Sequence, residues 1–367
     1  MTRAGLIVNP VAGVGGRYAL KGSDNAAAVA RLVAEGAPRV AAGRARRALR
    51  VLRTLAPDVE ILAPAGEMGR DEAVGAGFHV TALESRPGTP TTADDTRSAA
   101  SELADRAVDL VLFAGGDGTA RDVVDTVGTR VPVLGVPCGV KMRSAVFGTT
   151  PEAAGDASGR FLANPKLWPT VEAEVLDAGD GALDSELFGV ARVPRIEGRL
   201  QRGKAAPPRS DDAALTALCS EIARELEPSR LYLFGPGTTT GRVLAALGLE
   251  GTPLGVDAVL DGELIASDLD ENGILRLVGE AGAATLVLGV IGGQGFLLGR
   301  GNQQISPRVV RAVRPDNIVI IAGADKVAAL DPPVLRVDLG DGEEEHLLRG
   351  YRRVRVAPGR TIVLQLI

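Results

Sequence analysis

A carboxylate set among glycines is the feature of this sequence best suited to chemistry. Residues 115–119 read Gly115-Gly116-Asp117-Gly118-Thr119, between the apolar run 108–114 and a helical stretch near 121–127. Glycines let the backbone approach a ligand closely, and a helix amino terminus offers unpaired N–H groups and partial positive charge. Asp117 is therefore a candidate to deprotonate a hydroxyl group beside bound phosphates, or to help hold Mg²⁺. The alternative is a tight turn in which Asp117 only caps the helix.

A second glycine-rich segment follows the first apolar run of the chain, Leu6-Ile7-Val8. Its Asn9 can donate and accept hydrogen bonds, and Arg17 can make a forked contact with phosphate. A plain turn explains this segment equally well when it is taken alone. The candidate donor-phosphate residues of the two segments are Asn9, Pro10, Gly13, Gly15, Gly16, Arg17, Gly115, Gly116, Gly118, Thr119 and Asp122.

Later segments offer candidates for binding the acceptor. Residues 235–240 precede a helix and supply amides and three threonine hydroxyls, although those threonines could instead cap the helix. Lys141 and Arg143 follow an apolar run and are candidate phosphate clamps, with a solvated loop as the alternative. The full set of acceptor-binding candidates is Lys141, Arg143, Ser144, Gly235, Gly237, Thr238, Thr239, Thr240, Gln294, Asn302 and Gln303.

The elements that must position these residues alternate between strands and helices. Over residues 1–150 this alternation predicts a doubly wound parallel sheet, and partial alternation over 165–200 predicts antiparallel strands. Strand–loop–helix patterns then return, and the tail reads as a hairpin around Pro358-Gly359. We therefore expect an α/β fold with a nucleotide-phosphate-binding domain at 1–150 and a mixed α/β acceptor-binding domain at 151–367. The active site is expected between the domains, and packing of the tail on the first domain is left open.

The composition excludes several other functions. The 367 residues carry a net charge of −5 and only 3% aromatic residues, which argues against nucleic acid as the partner. No run of 18 apolar residues is present, so no membrane span is expected. The two cysteines and two histidines lack metal-site spacing, and reduced thiols are typical of a cytoplasmic protein.

The motifs together resemble a known superfamily. Ile7-Val8-Asn9-Pro10 with Gly13 and Gly15, followed by Gly115-Gly116-Asp117-Gly118-Thr119, is similar to NAD kinases and diacylglycerol/sphingosine-type lipid kinases. Residues 139–147, 235–240 and 292–306 resemble the AcoX-type branch of the ATP-NAD kinase family. Arg143 departs from the histidine of that branch, and Ser23-Asp24-Asn25 departs from its usual Thr-Asp-Gly.

The resemblance implies a kinase that moves a phosphoryl group from ATP or polyphosphate to the 2′-hydroxyl of the adenosine ribose of NAD, giving NADP. It implies Asp117 as the base and Mg²⁺ or Mn²⁺ held mainly by the donor phosphates, the protein metal ligands being unknown. It also implies small-molecule nucleotide substrates and a homodimer or homotetramer. The alternatives are phosphorylation of another nucleoside, nucleotide or polyol, a lipid kinase, and, least favoured, a non-catalytic nucleotide sensor.

Overall fold

The computed structural model describes residues 2–20, 26–140, 142–177, 186–200, 212–291, 295–339 and 347–367. Contacts within the chain divide it into two compact units. The first comprises Met1–Gly15 and Gly22–Gly203, and the second comprises Gly16–Lys21 and Lys204–Ile367.

The first unit is built around a parallel sheet of five strands. The strands of this unit, of which the first five form that sheet, are β1 (Arg3–Val8), β2 (Glu60–Ala63), β3 (Val80–Ala82), β4 (Leu110–Gly115), β5 (Val133–Pro137), β6 (Thr170–Asp177) and β7 (Glu186–Pro194). Its helices are α1 (Ala26–Ala34), α2 (Val40–Leu55), α3 (Arg70–Gly75), α4 (Ala93–Asp105), α5 (Asp117–Val127) and α6 (Pro151–Ala163). The parallel sheet has the order β3-β2-β1-β4-β5.

This sheet confirms the predicted doubly wound arrangement. All residues of β4 are buried, as expected of a parallel strand covered on both faces. Strands β1 and β4 are neighbours, with Val8 opposite Ala114. The strand order reverses between them, and α/β folds bind ligands at the carboxyl ends of strands at such a reversal. The two glycine-rich segments leave the sheet at this point.

Residues 151–203 group with the first unit, whereas the sequence placed a domain boundary at 150/151. Helix α6 packs on α2 so closely that a Cβ on Gly155 would lie 2.2 Å from the Ala48 carbonyl oxygen. Strands β6 and β7 form the expected antiparallel pair, and their inward residues join the core that includes α5. Burial of these apolar faces ties the segment to the first sheet.

The second unit contains a mixed sheet of nine strands. Its strands are β8 (Leu231–Phe234), β9 (Asp257–Leu260), β10 (Glu263–Ala266), β11 (Ala284–Gly289), β12 (Phe296–Leu298), β13 (Ile318–Ile321), β14 (Val334–Val337), β15 (Gly350–Ala357) and β16 (Arg360–Leu366). Its helices are α7 (Asp212–Arg224), α8 (Thr238–Ala246), α9 (Glu271–Ala281), α10 (Pro307–Val313) and α11 (Ala324–Ala328).

Strands β8, β11 and β13 lie side by side and run parallel, so their carboxyl ends share one edge. The sheet order is β10-β9-β8-β11-β13-β15-β16-β14-β12. The predicted tail hairpin is present as β15 and β16, and both strands lie inside this sheet. Across the described ranges, no helix has the length and apolar character that a membrane crossing requires.

Candidate active site

A hydrogen bond joins the two glycine-rich segments at the reversal of the first sheet. The Asn9 side-chain amide donates to Thr119 Oγ1 at 3.0 Å, and the Asn9 backbone N–H donates to Ala114 O at 2.9 Å. Asn9 Oδ1 accepts the Val11 N–H at 3.2 Å. Asn9 therefore fixes its own turn and holds the start of α5 beside it.

Glycine is required where the turns after β1, β4 and β5 meet. Gly13 has a φ of +81°, and a Cβ there would lie 2.3 Å from the Cys138 carbonyl oxygen. A Cβ on Gly139 would lie 2.6 Å from Gly116 Cα, so these two backbones touch directly. The sequence indicated Gly13 and Gly116 but gave Gly139 no role. The position of Gly139, two residues after the end of the buried strand β5, was the available signal.

The Asp117 carboxylate is held by backbone amides from the segment after β5. It accepts the Arg143 N–H at 2.8 Å and the Ser144 N–H at 3.1 Å. Gly116 is the N-cap of α5, and the cap makes no side-chain hydrogen bond. Capping therefore does not explain the Asp117 side chain, which lies at the first position inside α5. It is fixed in direction at the reversal of the sheet.

Burial raises the pKa of Asp117 above its ordinary value, while the Ser144 hydroxyl, the amides and Arg143 act in the opposite direction. The residue is partly buried, so the carboxylate loses much of its hydration. A carboxylate with a raised pKa is a stronger base than an ordinary aspartate. This environment suits proton acceptance from an alcohol.

Ser144 anchors this arrangement to the antiparallel pair. The residue is fully buried, and its hydroxyl donates to Leu176 O at 3.3 Å and accepts the Leu176 N–H at 3.0 Å. Its expected place was in acceptor binding. The structure uses its hydroxyl to connect the Asp117-binding turn to β6, a role that depends on a residue distant in sequence.

Asp122, a predicted phosphate-binding residue, bonds to a neighbouring helix. It is buried on α5 and accepts a hydrogen bond from Arg97 Nη1 at 2.6 Å, and Arg97 Nη2 also bonds to Asp94 at 2.6 Å. Burial raises the pKa of Asp122, and the Arg97 guanidinium opposes that rise. This carboxylate pairs α5 with α4.

In the second unit, residues 235–237 form the turn between β8 and α8, and residues 238–240 begin the helix. Gly237 is the N-cap with a φ of +129°, and the cap makes no side-chain hydrogen bond. Thr240 is buried and its hydroxyl donates to Gly237 O at 2.9 Å, whereas Thr238 is exposed. Gly235 donates its N–H to Val287 O at 2.9 Å. The threonines therefore do not cap the helix as the alternative interpretation required.

Asn302 and Gln303 bond within their own loop. Asn302 is 1% exposed, its Oδ1 accepts the Gly299 N–H at 2.7 Å, and its Nδ2 donates to Leu297 O at 2.9 Å. Gln303 Nε2 donates to Gly299 O at 3.1 Å. Both polar atoms of the Asn302 amide are thus engaged in shaping this loop.

The remaining predicted residues are distributed as follows. Pro10 and Gly15 are buried in the first unit, while Gly16 and Arg17 group with the second unit, where Gly16 packs against Gln303. Gly118 and Thr119 lie in the first turn of α5, and Thr239 is partly buried in α8. Lys141 and Gln294 lie outside the described residues.

The described residues form no protein-only metal site. They contain no group of three or more His, Cys, Asp or Glu side chains able to hold an ion. Asp117 accepts two amide N–H groups and Asp122 is paired with Arg97.

Comparison with solved structures finds similarity to proteins described in their titles as "putative diacylglycerol kinase", both from Bacillus anthracis str. Sterne. One has a TM-score of 0.25 and 17% identity, and the other has a TM-score of 0.24 and 16% identity. Each match covers 46% of this chain and 41% of the other, so it takes in less than half of either relative. Among curated proteins, none matches this chain.

Comparison with protein families gives two matches in chain order. The ATP-NAD kinase N-terminal domain matches residues 5–165, which include both glycine-rich segments and Asp117. The ATP-NAD kinase C-terminal domain matches residues 229–366, which include the turn before α8. Because the two matches take in most of the sequence, the chain belongs to the ATP-NAD kinase family.

Proposed function

We propose that this chain transfers a phosphoryl group from ATP to a hydroxyl, and that its acceptor is the 2′-hydroxyl of the adenosine ribose of NAD. The two matched domains are those of ATP-dependent phosphotransferases that act on a hydroxyl. The observation that carries the proposal is the Asp117 carboxylate. It is partly buried, aimed by two amides, and placed beside a glycine-rich turn at the reversal of a parallel sheet.

The donor phosphates are proposed to lie against the turns after β1 and β4. The close backbone contacts of Gly13 and Gly116 keep these turns free of side chains, so peptide N–H groups can approach phosphate oxygens. The Asn9–Thr119 hydrogen bond fixes their spacing. Mg²⁺ or Mn²⁺ enters bound to the triphosphate, as part of the substrate.

The chemical step needs one general base, and the carboxylate of that base must keep a fixed orientation toward the hydroxyl. Asp117 accepts the proton of the 2′-hydroxyl as the ribose oxygen forms a bond to the γ-phosphorus. The bond from that phosphorus to the β,γ-bridging oxygen breaks, and ADP leaves with the electron pair. The amides of Arg143 and Ser144 keep the carboxylate oriented throughout, which is the positioning contribution that phosphoryl transfer requires.

Recognition of the acceptor is proposed to use the turn before α8. The helix begins at Gly237 without a side-chain cap, so its first N–H groups are suited to an anionic oxygen such as that of a dinucleotide pyrophosphate.

The test offers the full-length protein γ-labelled ATP with NAD, nucleosides, polyols and diacylglycerol, and in parallel offers polyphosphate with NAD. We expect labelled NADP. Asp117→Asn should reduce kcat by about 10²- to 10⁴-fold, because the general base is lost. Asp125→Asn, an exposed carboxylate on the same helix, is the matched control and should retain activity.

The possible failures are distinct. A labelled nucleoside or polyol without labelled NAD would support the kinase assignment and reject NAD as the acceptor. A labelled lipid alone would assign the chain to lipid phosphorylation. ATP binding without turnover in wild type and Asp117→Asn alike would make the chain a nucleotide sensor.

A further inference from the structure

A lysine lies across the carboxyl ends of two parallel strands in the second unit. Lys326 belongs to α11, which follows β13, and its Nζ donates a hydrogen bond to the carbonyl oxygen of Val290. Val290 is 3% exposed and follows β11 directly. The ammonium group therefore bonds back to the end of β11, and the lysine is partly buried.

This cation has no counter-charge in the described part of the chain. Its single hydrogen bond there is the one to Val290, and no carboxylate of the described residues forms an ion pair with it. Burial lowers the pKa of Lys326, because the charged form loses hydration. A buried charge is costly unless another charge or several hydrogen bonds compensate it, and an ammonium has three donors.

The start of α8 reaches the same point of the sheet. A Cβ on Gly289 would lie 3.5 Å from the Thr239 Cβ, so the first turn of α8 packs over the end of β11. Lys326 contacts Val290, the next residue. The first turn of α8 therefore lies beside Gly289, and Lys326 bonds to Val290, the next residue along the chain, at the edge where α/β sheets bind ligands.

We infer that Lys326 is an anion-binding residue whose missing counter-charge is a phosphate group of a nucleotide substrate. The inference rests on the proposed function for the identity of the nucleotide. In this site a phosphate oxygen accepts hydrogen bonds from the Lys326 ammonium group and from the first backbone amides of α8. ATP, the phosphoryl donor, and NAD, the proposed acceptor, both carry phosphate groups, and separate binding measurements distinguish the two.

A purely structural lysine would behave differently. If only the aliphatic part of the side chain mattered, methionine of similar length would replace it at no cost in binding, and stability would rise because a desolvated charge is removed. A lysine kept for a ligand should show that gain in stability of the free protein together with weaker binding of phosphates. Stability–function trade-offs of this kind are common at binding sites.

The experiment compares full-length wild type, Lys326→Met and Lys166→Met, the last removing an exposed lysine in the first unit. Dissociation constants are measured by calorimetry for NAD, for a non-hydrolysable ATP analogue and for inorganic pyrophosphate. We expect Lys326→Met to weaken at least one of them about ten- to a hundredfold, the loss of one charge-assisted hydrogen bond. Lys166→Met should stay within about twofold of wild type.

Binding of all three probes by Lys326→Met within about threefold of wild type would overturn the inference and leave the proposed function standing. Weakened pyrophosphate binding with no NAD or ATP binding in wild type would instead keep the lysine site and reject the proposed function. If Lys326→Met does not fold, wild type is treated with an amine-reactive reagent with and without each probe. Protection of Lys326 by a probe supports the site, and equal labelling in every sample overturns it.

Discussion

At the scale of single residues, the environment of Asp117 has two opposing effects on the pKa of its carboxyl group. Loss of hydration favours the protonated carboxyl group, while hydrogen bonds from the Arg143 and Ser144 amides favour the carboxylate. Burial is the larger effect, so the pKa of Asp117 is raised. The amides nonetheless fix both oxygens in direction. A base that is stronger than usual and cannot rotate away is suited to a hydroxyl acceptor.

The pH dependence of activity follows from this raised pKa. Asp117 must be deprotonated to act, so kcat/KM should be full above that pKa and fall as pH falls through it. The acid limb should lie above the range of an ordinary aspartate, about pH 4. The measurement is kcat/KM for NAD against pH, with Asp125→Asn expected to show the same limb. A profile flat down to about pH 4 would contradict the role of Asp117 as base.

At the scale of elements, the site depends on three strand ends brought into backbone contact. The turns after β1 and β5 meet where a Cβ on Gly13 would press on the Cys138 carbonyl oxygen, and the turns after β4 and β5 meet at Gly116 and Gly139. Parallel pairing places these ends at one edge, and glycine lets them touch. The proposed donor site is thus made mainly of backbone, and side chains at these positions would fill it.

Gly139→Ala tests this contact. Its Cβ would lie 2.6 Å from Gly116 Cα, and neither backbone can yield without moving a strand end. We expect the free energy of unfolding to fall by about 1–3 kcal/mol, as for other overpacked sites. Urea denaturation measures the change.

Gly118→Ala is the matched control for stability, because a Cβ there would have no neighbour within 4 Å. As a helical position it should leave stability unchanged or raise it by up to about 1 kcal/mol. Equal losses in both variants would show that the close contact is not the cause. The KM for ATP of Gly118→Ala separately reports whether donor phosphates approach this residue.

At the scale of the whole molecule, the chain has two units with separate hydrophobic cores. The clusters that contain Leu112 and Phe113 are drawn from the first unit, and those that contain Leu286 and Val287 are drawn from the second. Each sheet therefore has its own source of stability. Multi-domain chains commonly depart from two-state unfolding.

Leu112→Ala and Leu286→Ala should act on different unfolding transitions. Both side chains are fully buried, and removing either should cost about 2–5 kcal/mol in its own unit. Differential scanning calorimetry of the full-length variants should show one transition lowered by the first substitution and another by the second. A single transition that both substitutions shift equally would contradict separate cores.

The sequence was sufficient wherever the signal was local. Apolar runs such as Leu6-Ile7-Val8 and residues 108–114 predicted strands of the first sheet, and the order of strands and helices predicted the α/β class, because burial on both faces and turn chemistry are encoded within a few residues. The sequence named both Asn9 and Thr119 as donor-phosphate candidates, and the structure joins them by a hydrogen bond. The two glycine-rich segments also led to the family, which the matched domains confirm.

Only the tertiary structure decided what each polar side chain bonds to. Ser144 bonds to Leu176, Asp122 to Arg97, and Lys326 to Val290, pairs separated by many residues in the chain. It also grouped residues 151–203 with the first sheet. Composition and spacing predict which residues can bind or react, but partners come from packing. Packing depends on apolar surfaces far apart in sequence, and local patterns carry no information about which of them meet.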